Sequence, residues 1–216
     1  KFMPLDTGKQ FLETVNQAKH TLITFGKEWN ADAVSSALAL AKILKNKKKR
    51  VDIIADGFSV PKNLEFLPEI DEIHPNLEKL QKFIINLDVS DSGIEELSYD
   101  LEDDKLSVYI TPKSGQFDNS DVTMASSNFK YDLIICLDTS EYSALGSVFN
   151  DNTDFFYHCP IVNIDHNPAN ERFGNLNIVD ITASSVSEIL HNLFHQTDKL
   201  HLDEETATCL LTGMIA

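Results

Sequence analysis

The chain has 216 residues, of which 42% are hydrophobic and 24% are charged, a composition typical of one large globular domain or two small ones. Acidic residues outnumber basic residues 34 to 18, and the formal net charge of −16 argues against broad binding to duplex nucleic acid or to anionic membranes. No apolar run reaches the roughly 18 residues of a membrane-spanning helix, and three scattered cysteines indicate a reducing, cytoplasmic compartment.

Apolar runs alternate with segments of helical periodicity along most of the chain. In chain order these predict a strand at 21–25, a helix at 32–45, strands at 51–55, 83–88, 132–138 and 160–165, and helices at 184–197 and 204–216. Strands separated by helices connect through right-handed crossovers and pair in parallel. The sequence therefore predicts an α/β fold with a mostly parallel, doubly wound sheet flanked by helices.

The segment 83–131 interrupts this alternation. Within it, the β-rich stretches 94–101 and 105–110 flank Glu102-Asp103-Asp104, which favours a tight turn. We therefore predict an antiparallel β-hairpin inserted into the α/β domain. Residues 118–128 are polar and predict a loop.

Polar side chains follow three of the predicted strands, where ligands gather in open α/β sheets. Asp32 follows the first strand, Asp138 ends the strand at 132–138, and Asp165-His166 ends the strand at 160–165. Carboxylates and an imidazole that meet at one edge of a sheet suit manganese, iron or zinc.

Each of these residues also has an ordinary structural interpretation. Asp32 is suited to cap the helix that it begins, and Asp138 followed by Thr139 suits an Asx-type turn. His166, taken alone, is typical of a loop histidine that makes local hydrogen bonds and binds no ligand. Their occurrence together, at successive strand ends, favours the metal site.

Three longer segments carry a family resemblance, namely 21–44, 132–146 and 162–190. The last contains a strand ending in NIDH, the loop RFGNLNIVD and the sequence ASSVSE. Together they resemble the DHH-family phosphoesterases, a group that includes oligoribonucleases, phosphoadenosine-phosphate phosphatases and cyclic-dinucleotide phosphodiesterases. The resemblance implies a DHH-type α/β domain over 1–216 with an insertion at about 83–131.

The resemblance also implies metal chemistry. Active members use two metal ions, usually manganese, to hydrolyse a phosphoester. The first motif of the family, His-x-x-x-Asp-x-Asp, places its histidine on Gly26 and its aspartates on Asn30 and Asp32. The bridging aspartate of the second motif falls on Asp138.

The third motif, Asp-His-His, becomes Asp165-His166-Asn167 in this chain. Residues 207–216 resemble the segment before the fourth motif. We therefore expect that motif's aspartate, and the family's smaller C-terminal substrate-binding domain, to follow Ala216.

The departures from the family pattern remove donors from the first metal position. Gly26 has no side-chain ligand and Asn30 offers only a neutral oxygen. Asp32, Asp138 and His166 are retained, and together with the aspartate of the fourth motif they are enough for one Mn²⁺ ion. Asn167 replaces a histidine that lies near the scissile phosphate in the family, which weakens proton transfer.

The sequence thus favours a degenerate phosphoesterase that binds a nucleotide or a short single-stranded oligonucleotide with weak or no hydrolysis. Asp138 and His166 would be its catalytic residues, and Asn167 and Arg172 would contact the phosphate. The alternative is an active, metal-dependent phosphodiesterase or phosphatase acting on oligoribonucleotides, cyclic dinucleotides or phosphoadenosine phosphate. A third possibility is an interaction module that forms a homodimer through the inserted hairpin.

Overall fold

The computed structural model describes residues 5–78, 80–197 and 202–216, and it divides into two compact units. The main unit is formed by the described residues up to Leu80 and from Phe129 onward. The second unit is Gln81–Asn128.

The first half of the chain contributes two helices and seven strands. They are α1 (Leu5–Gln17), β1 (His20–Phe25), α2 (Ala31–Asn46), β2 (Arg50–Ile54), β3 (Ile73–His74), β4 (Gln81–Leu87), β5 (Ile94–Glu102), β6 (Lys105–Pro112) and β7 (Val122–Phe129). The second half contributes β8 (Leu133–Leu137), α3 (Ser147–Asn150), α4 (Thr153–His158), β9 (Ile161–Asp165), β10 (Leu176–Val179), α5 (Val186–Thr197) and α6 (Glu204–Ile215).

A six-stranded sheet forms the centre of the main unit, in the order β10-β9-β8-β1-β2-β3. Every neighbouring pair in this sheet is parallel. The predicted α/β fold is confirmed, and β1 lies beside β8 although the second unit separates them in sequence.

The sheet is covered on both faces because side chains alternate along its strands. In β8, Leu133, Ile135 and Leu137 belong to a core built with α1, α2, α5 and α6. Ile134 and Cys136 point the other way, into a second core formed with α3 and α4. Strands buried on both faces have to be apolar throughout, which is why β8 reads as a continuous apolar run.

The two late helices begin beside capping side chains. Ser185 Oγ accepts a hydrogen bond from Glu188 N at 3.1 Å, so α5 starts at Val186 rather than at the predicted residue 184. Asp203 caps α6 by accepting from Thr206 N at 2.8 Å. No helix in the described ranges is both long and apolar enough to cross a membrane.

The second unit contains the predicted hairpin. Strands β5 and β6 are antiparallel, and the residues of the connecting turn, Asp103 and Asp104, have φ angles of 47° and 63°. Positive φ at both central residues is the geometry of the two-residue turn that matches strand twist.

Two predictions in this region need correction. The strand predicted at 83–88 forms as β4, but it pairs with β7 and does not join the main sheet. The loop predicted at 118–128 is wrong from Val122 onward, where β7 begins. Four of the eight residues of β7 are polar and interrupt its apolar residues, so the sequence carries little strand signal.

The two segments of the main unit that flank the second unit in sequence are hydrogen-bonded to each other. Lys130 N donates a hydrogen bond to Leu80 O, which joins the two flanking segments. The side chains of Lys130 and Tyr131 then both donate to Asp52 Oδ2 on β2, at 2.5 and 2.7 Å. Burial alone would raise the pKa of Asp52, but these hydrogen bonds outweigh it and hold that pKa below its usual range.

Gly146, just before α3, is required by both its backbone and its surroundings. Its φ and ψ are 61° and −135°, a backbone conformation that is strained for any residue with a side chain. A Cβ at this position would also overlap the carboxylate of Asp56. That carboxylate accepts from Ser147 N at 3.0 Å and from Ser147 Oγ at 2.7 Å.

We predict that Gly146→Ala lowers the free energy of unfolding by on the order of 3 kcal/mol, from backbone strain plus loss of the Asp56 contact. Gly57→Ala is the matched control, because Gly57 has φ 63° but open space around its Cβ position. It should cost only about 1 kcal/mol. Urea unfolding of both variants checks this, and equal losses would show that the Asp56 contact contributes nothing.

Candidate metal centre

Three ligand-bearing side chains meet at the carboxyl edge of the central sheet. Ligand atoms of Asp32, Asp138 and His166 all lie within 4.8 Å of one another. Asp32 lies in the first turn of α2, which follows β1, and the other two residues follow β8 and β9. In the described part of the chain this is the one such group of three or more histidine, cysteine or acidic residues.

Asp32 has a structural role that joins two helices. Its buried carboxylate accepts from the backbone N–H groups of Val186 at 2.6 Å and Ser187 at 3.1 Å, and from Ser36 Oγ at 3.1 Å. These backbone donors are the first N–H groups of α5, which have no partner within that helix. The interpretation of Asp32 as a cap of its own helix is wrong, because it caps α5 instead.

Asn30 caps α2 and also contacts Asp138 of the three-residue cluster. Its Oδ1 accepts from Ala33 N at 2.8 Å, and its Nδ2 donates to Asp138 Oδ2 at 2.7 Å. The cap fixes the orientation of the amide, since the oxygen must face the helix and the nitrogen must then face Asp138. An aspartate at position 30 would cap equally well but would have no proton to donate.

Asp138 is held under electrostatic and conformational strain. Its φ is 48°, and its side chain is only 14% exposed. Burial raises the pKa of Asp138, and the neighbouring carboxylates of Asp32 and Asp165 raise it further. The hydrogen bond from Asn30 opposes this rise, as does His166. A cation at this position would relieve the concentration of negative charge.

His166 completes the cluster from the β9 side. Its Nε2 lies 3.5 Å from Asp138 Oδ1. The preceding residue, Asp165, is fully buried, and its Oδ1 accepts from His166 N at 2.7 Å and from Asn167 N at 3.0 Å. Its other oxygen accepts from Asn170 Nδ2 at 2.6 Å. Asp165 therefore shapes the loop that presents His166.

The remaining predicted residues lie outside the three-residue cluster. Asn167 is exposed, and its Oδ1 accepts from Ala169 N at 2.9 Å in a local turn. Arg172 is also exposed, with φ 56°. Their assignment to phosphate contact stays a prediction. Gly26 is buried and supplies no ligand, although a Cβ there would make only ordinary contacts, the nearest at 3.6 Å.

Sequence reasoning missed the residues that hold Asp32 in place. Ser36 Oγ and Ser187 Oγ lie 2.7 Å apart, and Ser36 also donates to Asp32. Gly213 of α6 packs directly on this group, because a Cβ there would overlap Ser187 Oγ and lie 2.7 Å from Asp32 Oδ1. A glycine inside an apolar helical segment was the available signal, since such glycines mark close packing.

The family model described as the DHH family, N-terminal domain, matches residues 20–214. The chain belongs to the DHH family. In this DHH domain, Asp32, Asp138 and His166 lie together at the ends of neighbouring strands.

The DHH domain also resembles a solved structure. It superposes on an exopolyphosphatase-related protein from Bacteroides fragilis with a TM-score of 0.68 and 16% sequence identity, over 99% of this chain and 51% of that one. At this identity the likeness supports the fold alone, and this chain spans about half the length of that relative. The search of curated proteins found no match.

Removing the charge of Asp32 should lower the stability of the metal-free protein, whereas removing the charge of Asp138 should raise it. Asp32→Asn places an N–H group against backbone donors and should cost about 2 kcal/mol of stability without metal. Asp138→Asn removes a carboxylate whose raised pKa makes its ionised form destabilising at neutral pH, while an oxygen remains for Asn30. We expect the melting temperature of metal-free Asp138→Asn to rise by roughly 2–4 °C.

Thermal unfolding in chelator at neutral pH measures both variants against the unmodified chain. If Asp138→Asn instead lowers the melting temperature, the ionised Asp138 carboxylate does not destabilise the fold when it accepts the hydrogen bond from Asn30.

Proposed function

We propose that this DHH domain binds one divalent metal ion, Mn²⁺, through Asp32, Asp138 and His166. Through that ion it binds the phosphate of a nucleotide or a short single-stranded oligonucleotide, with weak or no hydrolysis. The donor set supports one ion, since two carboxylates and one imidazole within 4.8 Å match the oxygen and nitrogen ligands that manganese accepts.

The hydrogen bond between Asn30 and Asp138 carries the proposal. In the active relatives that the motifs resemble, the residues aligned with 30 and 138 share the first metal ion. Here an amide proton lies between them, at an N–O distance of 2.7 Å. The proton satisfies the Asp138 oxygen without supplying the second divalent charge that stabilises phosphoryl transfer. Gly26 removes a further donor from the same position.

Charge explains why the phosphate would depend on the metal. The chain carries a net charge of −16, and the cluster itself contains two carboxylates, so an anionic ligand meets repulsion unless a cation is bound. Bound metal supplies that charge and a Lewis-acid contact for the phosphate oxygens. Arg172 and Asn167 are the protein groups that we propose to contact the phosphate from the loop after β9.

An active phosphodiesterase or phosphatase is the second candidate. The observation that favours it is the retention of Asp138 and His166 side by side, with Nε2 and Oδ1 3.5 Å apart. These groups suffice to hold a metal and to move a proton near it. Turnover assays separate the two candidates.

We expect chelator-treated protein to bind one Mn²⁺ per chain, and Asp138→Ala to bind none, because Asp138 lies at the centre of the donor set. Asp180→Ala is the matched control, since Asp180 is also an acid at a strand end but its carboxylate accepts from Thr182 at 2.9 and 2.6 Å. Isothermal titration, followed by a thermal shift with pApA in the presence of Mn²⁺, measures both steps.

The outcomes separate cleanly. Absence of Mn²⁺ binding would overturn the proposed metal site. Binding of Mn²⁺ without any pApA shift would overturn the nucleotide role. Hydrolysis of pApA that disappears in Asp138→Ala would establish the second candidate instead.

Restoring the missing donors should restore a second metal. Gly26→His/Asn30→Asp adds an imidazole at a site with room for its Cβ and replaces the amide by a carboxylate. We expect two Mn²⁺ per chain and a lower melting temperature without metal, because residue 30 would then face Asp138 as a like charge. The control Gly26→Ala/Asn30→Asp lacks the imidazole and should bind the second ion more weakly. Equal metal affinity in the two variants would contradict a ligand role for position 26.

A further inference from the structure

One face of the inserted hairpin is apolar and exposed. Strands β5 and β6 pair so that three cross-strand pairs project from the same side of the ribbon. These residues, here called the apolar hairpin face, are Leu97 with Ile110, Tyr99 with Val108, and Leu101 with Leu106. The opposite side carries the polar or charged pairs Glu96–Thr111, Ser98–Tyr109, Asp100–Ser107 and Glu102–Lys105.

The apolar hairpin face is largely exposed, although Ile110 is half-buried. Five of its side chains are exposed, at 63% for Leu97, 76% for Tyr99, 68% for Leu101, 59% for Leu106 and 47% for Val108. An isolated two-stranded ribbon is at best marginally stable in water, and a continuous apolar face of this kind marks an interaction site.

From these observations we infer that the apolar hairpin face is a homodimer interface, at which two copies of this chain pack ribbon against ribbon. The inference does not rest on the metal site or on nucleotide binding. It concerns the second unit alone.

The area of the face fits a second copy. Its exposed side chains present on the order of 600 Å², near the upper limit for one apolar patch on a monomer. Two such faces in contact would bury on the order of 1,200 Å² in total, which is the lower end of the range for specific interfaces. Burial of this size supports a dimer of moderate affinity.

The residue pattern is self-complementary. A twofold axis running along the ribbon, between its two strands, places β5 of each copy over β6 of the other. Tyr99 of one copy then lies over Val108 of the other, so the largest side chain of the face meets the smallest. Leu97 lies over Ile110, and Leu101 over Leu106, by the same operation. Large side chains facing small ones allow the two layers to interdigitate.

Charge favours this partner over an anionic one. The apolar hairpin face carries no charge, whereas Glu96, Asp100 and Glu102 lie on the opposite face of the same ribbon. Face-to-face packing turns these carboxylates outward, away from the partner and into solvent. Nucleic acid or an anionic membrane would instead meet a chain of net charge −16 with no cationic residue on this face.

The test compares two double variants that each introduce one glutamate and one lysine. Tyr99→Glu/Val108→Lys replaces the central pair of the apolar hairpin face by an opposite-charge pair, which keeps cross-strand attraction within the ribbon. The control, Ser98→Lys/Tyr109→Glu, does the same to a directly opposed pair on the polar face. Both variants remove one exposed tyrosine, and neither changes the net charge.

Sedimentation equilibrium from about 1 µM to about 200 µM measures the oligomeric state. We expect the unmodified protein and the control to dimerise with micromolar affinity, and Tyr99→Glu/Val108→Lys to weaken dimerisation at least tenfold. A monomeric unmodified protein over this range would overturn the inference, as would equal dimerisation of all three proteins.

The cooperative thermal unfolding transition serves as the fold control for the main unit, and far-ultraviolet circular dichroism for the ribbon. A variant that is monomeric and has lost its strand signal would not support the interface, so a milder variant, Tyr99→Ser, is measured in parallel. Its dimer should be weaker than that of Tyr109→Ser. Equal affinities would contradict the assignment of the interface to the apolar face.

Discussion

A single buried carboxylate organises the helical side of the main unit. Asp32 belongs to α2 but satisfies the first backbone N–H groups of α5, 154 and 155 residues further along the chain. A helix start buried without such a partner would leave unpaired donors in a dry environment, at a cost comparable to a lost hydrogen bond for each. Gly213 brings α6 against the same group. The position of Asp32 beside Asp138 and His166 is thus a consequence of how three helices pack.

The two aspartates of the cluster therefore have different effects on the stability of the fold. Asp32 is satisfied by the protein, whereas Asp138 is buried near like charges in a backbone conformation that few residues adopt. Functional sites commonly retain such locally unfavourable groups because the ligand compensates for them. Asn30 provides partial compensation, because its Nδ2 donates a hydrogen bond to Asp138 Oδ2.

The parts of the structure that could be predicted from sequence are those determined by local pattern. Ile134 and Ile135 lie in a strand buried on both sides, and such runs are recognisable without any knowledge of their neighbours. The grouping of Asp32, Asp138 and His166 followed from one topological rule about strand ends. The bond between Asn30 and Asp138 spans 108 positions, and no local pattern encodes it. The β7 strand was missed because polar residues interrupt its apolar ones, which leaves little strand signal in its sequence.

The hydrogen bond between Lys130 N and Leu80 O has a consequence for how such a protein can evolve. The chain leaves the main unit at Leu80 and returns at Phe129, and the hydrogen bond shows that these two ends lie next to each other in space. The main unit can therefore accept inserted segments of different length between them. Loop-closure entropy grows only slowly with the length of an insertion. The second unit can therefore change in length and in its side chains while the sheet, and the edge that carries Asp32, Asp138 and His166, keep their structure. Substitutions in the second unit and substitutions at the candidate metal site can thus accumulate independently of one another.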